Sequence, residues 1–466
     1  MRKNLPLKMK KTITPKNLVL AAFLATSFLS NAQEQPKKFG KYPLTADSNG
    51  IIRCATVENE LNLRDQNVKI ATDVEFEKWI SKKIEEVKAE RLANPKSGNA
   101  VKVIPVVVHV IHNGDALGAN ENISLERIQT QIAVLNEDYS MAAGTRAENV
   151  WGIEAAVNTG IQFCLAKIDY NGQPFDGVDR VPLNTAVYTS RDLVEQTKSF
   201  TQWDPDSYFN IWTFNWEGLS SPGTLLGYAQ FPSNSTLQGL SGGEASTDGV
   251  AIDYRAFGSR EKMVGPIPSG TLYSFAELGR TATHEIGHAL GLRHIWGDGD
   301  CTATDYCNDT PPQASETSGC PNAYISTCSS GTYDMWQNFM DYTNDSCMSV
   351  FTKDQRTRME TVLANSSRRK TLLTSNVCGT VGTVDFKMLQ GINIYPNPAQ
   401  TVINIASETE LPDSYTVFNS LGQVVASAQN VSDANLAINV SSYANGIYFL
   451  KVDKGSESKT IKFIKN

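Results

Sequence analysis

The eleven residues "HEIGHALGLRH", His284 to His294, hold three of the chain's five histidines, with a glutamate directly after the first. Histidines four apart on a helix lie one above the other on the same face, so His284 and His288 can offer two imidazole nitrogens to one ion. Glu285 is turned about 100° around the helix from His284, too far to share a tetrahedral metal but near enough to touch a water beside it, where a general base belongs. Gly291 can adopt the left-handed conformation that ends a helix, which lets His294 swing back as a third ligand. In a chain of this composition, H-E-x-x-H-x-x-G-x-x-H arises by chance with a frequency on the order of one in 10⁵ to 10⁶. The pattern therefore predicts one zinc ion on His284, His288 and His294, with a fourth position open to water as in catalytic sites. A non-catalytic surface or adhesion protein with a retained structural zinc would need neither Glu285 nor that open position. Upstream, Ser274 and Glu277 have capping-box spacing, which predicts a helix starting at about Phe275.

Around this motif the chain alternates between strand and helix signals. "VKVIPVVVHVIHNGD", from Val101, reads as a buried strand, and "LERIQTQIAVLNEDY" carries Ile128, Ile132 and Leu135 at helical spacing. His109 and His112, three apart on that strand, face opposite sides and are assigned to structure. "FNIWTFNW", "TLLGYAQFP" and "GVAIDYRAFG" have strand composition and end in turn residues. Together they predict an α/β or α+β domain of about 275 residues ending near Cys378. Beyond "CGTVGTVDF" come only short alternating strands punctuated by Asn-Pro, Leu-Gly and Asn-Gly, which predict a small all-β sandwich. A carbohydrate-binding sandwich would present an aromatic platform, which these strands lack.

The formal charge of -7, with no basic run beyond the extreme N-terminus, removes nucleic acid from the expected partners. At that N-terminus a basic stretch, an apolar run from Leu18 to Leu29 and Ser30-Asn31-Ala32 predict a secretory signal peptide cut after Ala32. No later stretch is long and apolar enough to span a membrane. Five of the eight cysteines crowd into residues 301 to 347, which in an exported protein reads as a disulfide-stapled loop region. Between Gln33 and about Ala100 the sequence predicts a small accessory segment with one helix, striped by Val74, Trp79, Ile80, Ile84, Val87 and Leu92, and a loose linker at "NPKSGN".

The histidine motif, followed by a methionine turn in "NFMDYTNDSCMSVFTKDQ", resembles the metzincin clan of zinc peptidases. Within it, "LLGYAQFP", "HEIGHALGLRHIWGD", "NDTPPQ", "GCP" and "NFMDYTNDSCM", in that order between about Val101 and Cys378, are similar to the pappalysin family and its ulilysin-like bacterial members. The resemblance implies an α+β fold with a mixed twisted sheet, an active-site helix and a Met-turn subdomain. It implies a zinc metalloendopeptidase acting on protein or peptide substrates, with Met340 beneath the metal and Tyr342 supporting the oxyanion. It places Gly227, Tyr228 and Ala229 on the edge strand where an extended substrate pairs by backbone hydrogen bonds. Asp305, Asp309 and Thr310 become candidate ligands of a structural calcium. The family pattern pairs Cys320 with Cys347, and Cys328 with either Cys301 or Cys307; Cys164 and Cys378 are a candidate third pair. A basic preference after the scissile bond occurs in some relatives, and no residue of "FTKDQRTRMETVLANSSRRK" can be assigned to it.

Cys54, in "IIRCATVEN", is the lone cysteine of the N-terminal segment. A thiolate is a stronger zinc ligand than water, so Cys54 over the metal would be a latency switch of the kind ulilysin-like zymogens use, with Ala55 where glycine is commoner. A disulfide to a later cysteine is the alternative. Activation should then cut between about Arg91 and Ala100. The terminal strands, with "IYPNPAQTVINI", "VFNSLGQVV" and "YANGIYFLKV", resemble the sorting domains of type IX secretion, which implies export across an outer membrane. The resulting division is 1–32 signal peptide, 33–96 propeptide, 97–380 catalytic domain, 381–390 linker and 391–466 sorting domain.

Overall fold

The structure, a computed structural model, describes residues 38–67, 70–94, 101–141, 156–216, 224–232, 244–263, 271–329, 331–379, 392–406, 411–420, 422–429, 431–432, 436–454 and 457–466. The expected signal peptide, linker 381–390 and most of the expected activation site lie outside them. Two compact units are present, Met1–Cys378 and Gly379–Asn466.

The first unit opens with β1 (Lys38–Phe39), β2 (Tyr42–Pro43), β3 (Ile51–Cys54), α1 (Thr56–Gln66) and α2 (Asp73–Ala93). It continues through β4 (Lys102–His112), α3 (Leu125–Ser140), β5 (Ile161–Leu165), β6 (Val178–Pro182), α4 (Arg191–Thr201), β7 (Phe209–Phe214), β8 (Thr224–Ala229), β9 (Val250–Asp253), α5 (Arg280–Ala289) and α6 (Lys353–Asn365). Seven strands form one mixed sheet in the order β3-β8-β9-β7-β4-β5, with β6 also on β4. Every pairing is parallel except that of β8 with β9. Strand β4 is central and covered on both faces, which is why its sequence is a continuous apolar run. Val106, Val108 and Val110 pack with Ile128, Leu135 and Ile286 on one side, while Ile111 packs with Trp212 on the other. His109, fully buried, bonds Asp179 Oδ2 and Asn210 Oδ1 at 2.8 Å each and stacks on Trp212, a structural role.

The N-terminal segment is not the separate accessory unit that its composition suggests. Strand β3 adds to the sheet beside β8, with Ile51 opposite Thr224 and Cys54 opposite Gly227. Helix α2 starts in a Thr72/Glu75 capping box and packs Phe76, Trp79 and Ile80 against Phe231 and Val362. Two members of the expected stripe, Val74 (74%) and Leu92 (85%), are exposed, and Phe76 takes the contact instead. The face is chosen by the partner surface, which reaches only part of the helix.

In the second unit, β10 (Asn393–Tyr395), β11 (Val402–Ala406) and β14 (Ala437–Asn439) form one antiparallel sheet. A second is built from β12 (Ser414–Asn419), β13 (Val424–Gln429), β15 (Gly446–Lys454) and β16 (Glu457–Lys465). Ile403, Ile405, Val417, Leu450, Val452 and Phe463 fill the core of this sandwich.

Disulfides join Cys164 to Cys378, Cys301 to Cys328 and Cys320 to Cys347. Of the two candidates for Cys328, then, Cys301 is the partner. Cys307 is a free thiol, its backbone N–H drawn 3.0 Å from Asp305 Oδ1 and its side chain buried.

Candidate metal centre and substrate cleft

Helix α5 begins at Arg280, not at Phe275, and the expected Ser274/Glu277 capping box does not cap it. Glu277 pairs with Arg260 instead. The helix N-terminus is closed by a carboxylate distant in sequence, for Asp345 Oδ2 accepts from Leu278 N (3.0 Å) and Arg280 N (3.1 Å). Asp138 on α3 ties down the first turn through Thr283 Oγ1 (2.7 Å) and Arg280 (3.2 Å). All ten residues of α5 are buried. Gly291, at φ 91°, reverses the chain after it.

His284 Nδ1 lies 2.7 Å from Phe339 O, His288 Nδ1 2.8 Å from Leu292 O, and His294 Nδ1 2.5 Å from Asp298 Oδ1. Each Nδ1 faces an acceptor and so carries the proton, leaving Nε2 as a bare lone pair. Those Nε2 atoms converge, 3.1 Å between His284 and His288 and 3.0 Å between His288 and His294. With no proton between them these are not hydrogen bonds. Three lone pairs at such separations repel unless a cation lies among them, and burial, which holds His284 and His288 well below the usual imidazole range, keeps them neutral ligands. Cys54 Sγ joins the same group, all four ligand atoms lying within 4.8 Å of one another. The donor set fits zinc. Met340 lies directly under the helix, its Sδ 2.5 Å from where a Cβ on Gly287 would be. Tyr342 sits with its ring 4.9 Å from that of His294 and 5.7 Å from that of His284.

Glu285 is fully buried against β8, so that a Cβ on Gly227 would meet its Cγ at 2.8 Å. Burial raises its carboxyl to about 8, against hydrogen bonds from Thr56 and Cys54. Along the edge of β8, Ala55 N donates to Gly227 O (3.0 Å). Beyond it, side chains continue the ladder: Ala229 N donates to Thr56 Oγ1 (2.8 Å), and Asn59 Nδ2 donates to Ala229 O (3.1 Å). The Thr56 hydroxyl in turn donates to Glu285 Oε2 (2.9 Å). Gly227 and Ala229 thus present their backbone to the cleft. Tyr228 does not, since it alternates onto the other side and gives its hydroxyl to Glu195 Oε1 (2.6 Å). Arg53 lines a pocket together with Cys54, His294 and Tyr342, where its guanidinium meets Asp345 Oδ1 (3.5 Å), Tyr342 O (3.2 Å), Phe275 O (3.4 Å) and Thr343 O.

A family profile described as "Pregnancy-associated plasma protein-A" matches residues 237–364, and one described as "Secretion system C-terminal sorting domain" matches residues 393–466. An extracellular metalloprotease of Pyricularia oryzae is 32% identical over 264 residues, covering 56% of this chain and 75% of that protein. One from Arthroderma otae is 29% identical over 259 residues, covering 55% and 76%. Among solved structures, a mutant of Tannerella forsythia promirolysin is 33% identical, covers 69% of this chain and 97% of its own, and superposes with a TM-score of 0.53. This chain belongs to the pappalysin family. As a pappalysin it is a metalloendopeptidase, and its fold is the α+β metzincin fold followed by an all-β sorting domain. It is exported by the type IX route. No helix among the described residues is long and apolar enough to cross a membrane.

In this pappalysin two of the three expected calcium ligands, Asp305 and Thr310, meet, and Asp309 is engaged elsewhere. Asp305 accepts from Thr310 Oγ1 at 2.9 Å and from Cys307 N at 3.0 Å, whereas Asp309 turns to Thr352 Oγ1 (2.6 Å) and Asp354 N (2.9 Å) at the start of α6. Their oxygens are engaged in closing loops, and the calcium assignment finds no support there. Four residues of the cleft escaped the sequence reading. Asp298, which orients His294, was legible as the acid four residues after it in "HIWGD". Arg53 stands beside Cys54 in "IIRC". Asp345 and Thr56 carry no local signal, because tertiary contact alone brings them to the site.

Proposed function

We propose that this pappalysin is a zinc endopeptidase made as a latent precursor, with Glu285 as its general base and residues 33–96 as its propeptide. The observation that carries the reading is the convergence of three buried Nε2 atoms and Cys54 Sγ on one point, beside a buried carboxylate whose Oε1 has no hydrogen-bond partner among the described residues. Zinc, when bound by His284, His288 and His294, supplies Lewis acidity that polarises a scissile carbonyl and lowers the pKa of water. Glu285 takes the proton of the attacking water and delivers it to the departing amine. Tyr342, beside His294, supports the oxyanion. The edge of β8 orients an extended substrate through Gly227 and Ala229.

Latency is supported at three points. Cys54 Sγ occupies the metal group, Thr56 Oγ1 holds Glu285 Oε2, and strand β3 covers the substrate edge. Arg53 also displays what the pocket at Asp345 accepts: a guanidinium ringed by one carboxylate and three carbonyls is matched to arginine side chains of the substrate. The test is Glu285→Gln in the activated enzyme. It should retain one zinc per chain by metal analysis and lose turnover by at least about 10³-fold on a mixed peptide library. Substantial residual cleavage would remove Glu285 from the role of base.

A further inference from the structure

Arg191, the first residue of α4, is 2% exposed, yet its closest partners belong to the propeptide. Its Nε and NH2 groups donate to Asn59 Oδ1 at 2.9 and 2.7 Å, and its guanidinium lies 5.9 Å from the Phe39 ring. On the catalytic side its partners among the described residues are Asp192 at 3.6 Å, whose side chain is 82% exposed, and Glu195 Oε2 at 3.9 Å. Glu195 is already committed through Oε1 to Lys198 Nζ (2.8 Å) and the Tyr228 hydroxyl (2.6 Å). Asn59 is fully buried, and its other end donates to Ala229 O on the substrate edge. The carboxamide of Asn59 therefore bridges the backbone where substrate pairs and a guanidinium beside it.

We infer that Arg191 is a specificity residue of the activated enzyme, binding a substrate side chain that carries a planar oxygen, a carboxylate in preference to a carboxamide, at the residue lying over Ala229. The inference rests on the reading that residues 33–96 occupy the substrate cleft. When they leave, Ala229 O and the Arg191 fork lose their partners together. A substrate strand on β8 restores the first with its backbone N–H, and a neighbouring side chain meets the second. The preference for a carboxylate follows from charge: Glu195 is held closely by Lys198, and the nearer ion-pair partner of Arg191, Asp192, is solvent-exposed and screened, so a bidentate acid in the cleft is the better match for the guanidinium. This subsite is separate from the Asp345 pocket, which selects the opposite charge.

The experiment uses enzyme activated from the full chain by cutting between residues 94 and 101, and peptides that differ at one position at a time. Wild type should favour Asp and Glu, then Asn and Gln, over Ala at one position on a single side of the scissile bond, by roughly 10- to 100-fold, expressed mainly in KM. In Arg191→Ala that ratio should collapse to about one; Arg191→Lys, which keeps the charge but loses the fork, should fall between. A flat wild-type profile at every such position would overturn the proposal whatever the variants do. So would an unchanged acidic preference in Arg191→Ala, which would mean that the guanidinium turns inward to Glu195. The same peptides are also read as ligands of activated Glu285→Gln by fluorescence anisotropy. Acidic preference in binding without any cleavage by wild type would overturn the peptidase reading and leave this one standing.

Discussion

Glu77 on α2 is 5% exposed and takes both NH1 (2.7 Å) and NH2 of Arg358, with Arg293 Nε 3.5 Å away. Arg358 is itself 1% exposed and belongs to α6, so Glu77 anchors the N-terminal segment, proposed above as the propeptide, by a buried bidentate ion pair. Glu77→Ala leaves that guanidinium buried with Gly291 O as its one hydrogen-bond acceptor among the described residues. Breaking one partner of a buried pair costs about 3–5 kcal/mol, and here the cost falls on the docked state alone, because in the released enzyme the guanidinium meets water. At about 1.4 kcal/mol per decade, the docking constant of the propeptide should fall by roughly 10²- to 10⁴-fold. The assay is inhibition by the N-terminal fragment after the linker has been cut, at fixed low salt, for wild type and variant. Glu85→Ala is the control: that side chain is 74% exposed, and its loss should change inhibition by no more than about twofold. An inhibition constant for Glu77→Ala within about threefold of wild type would refute the reasoning, and would mean that the metal group and the strand alone hold the segment.

Cys54→Ala in the uncut precursor should release partial activity, partial because Thr56 still holds Glu285. With cobalt in place of zinc, the thiolate-to-metal charge-transfer absorption of the precursor should vanish in the variant; a variant as silent as wild type, with unchanged spectrum, would exclude the switch. Asp345→Asn keeps an oxygen for the N-terminus of α5 and turns an amide toward the pocket, so the arginine-over-alanine ratio in kcat/KM should drop by roughly 10- to 100-fold. An unchanged ratio would show that the carbonyls alone select the base. Deleting residues 391–466 should retain the protein in the periplasm by fractionation, whereas normal secretion would overturn the role of the tail.

The zinc helix, the three histidines, the Met turn and the two-unit division were legible because each depends on local spacing: imidazoles four residues apart on a helix face one ion whatever surrounds them. The same holds for the existence of α2. Prediction failed where a partner distant in sequence made the choice. Ser274 and Glu277 have capping-box spacing, yet Asp345 closes α5 and leaves Glu277 to Arg260. Cys301 and Cys307 were equivalent candidates for Cys328 until the loop buried one of them. Asp305 and Asp309 read as cation ligands, but Asp305 is held by its local neighbour Thr310 and Asp309 by Thr352 at the start of α6. The sequence by itself determined the grouping from which the chemistry is proposed, three histidines with a carboxylate beside the first. Only the tertiary structure decided how that chemistry is restrained and aimed, because Arg53, Thr56, Asn59, Arg191 and Asp345 act through contacts between residues 65 to 292 positions apart, and no local periodicity records a contact between residues so far apart.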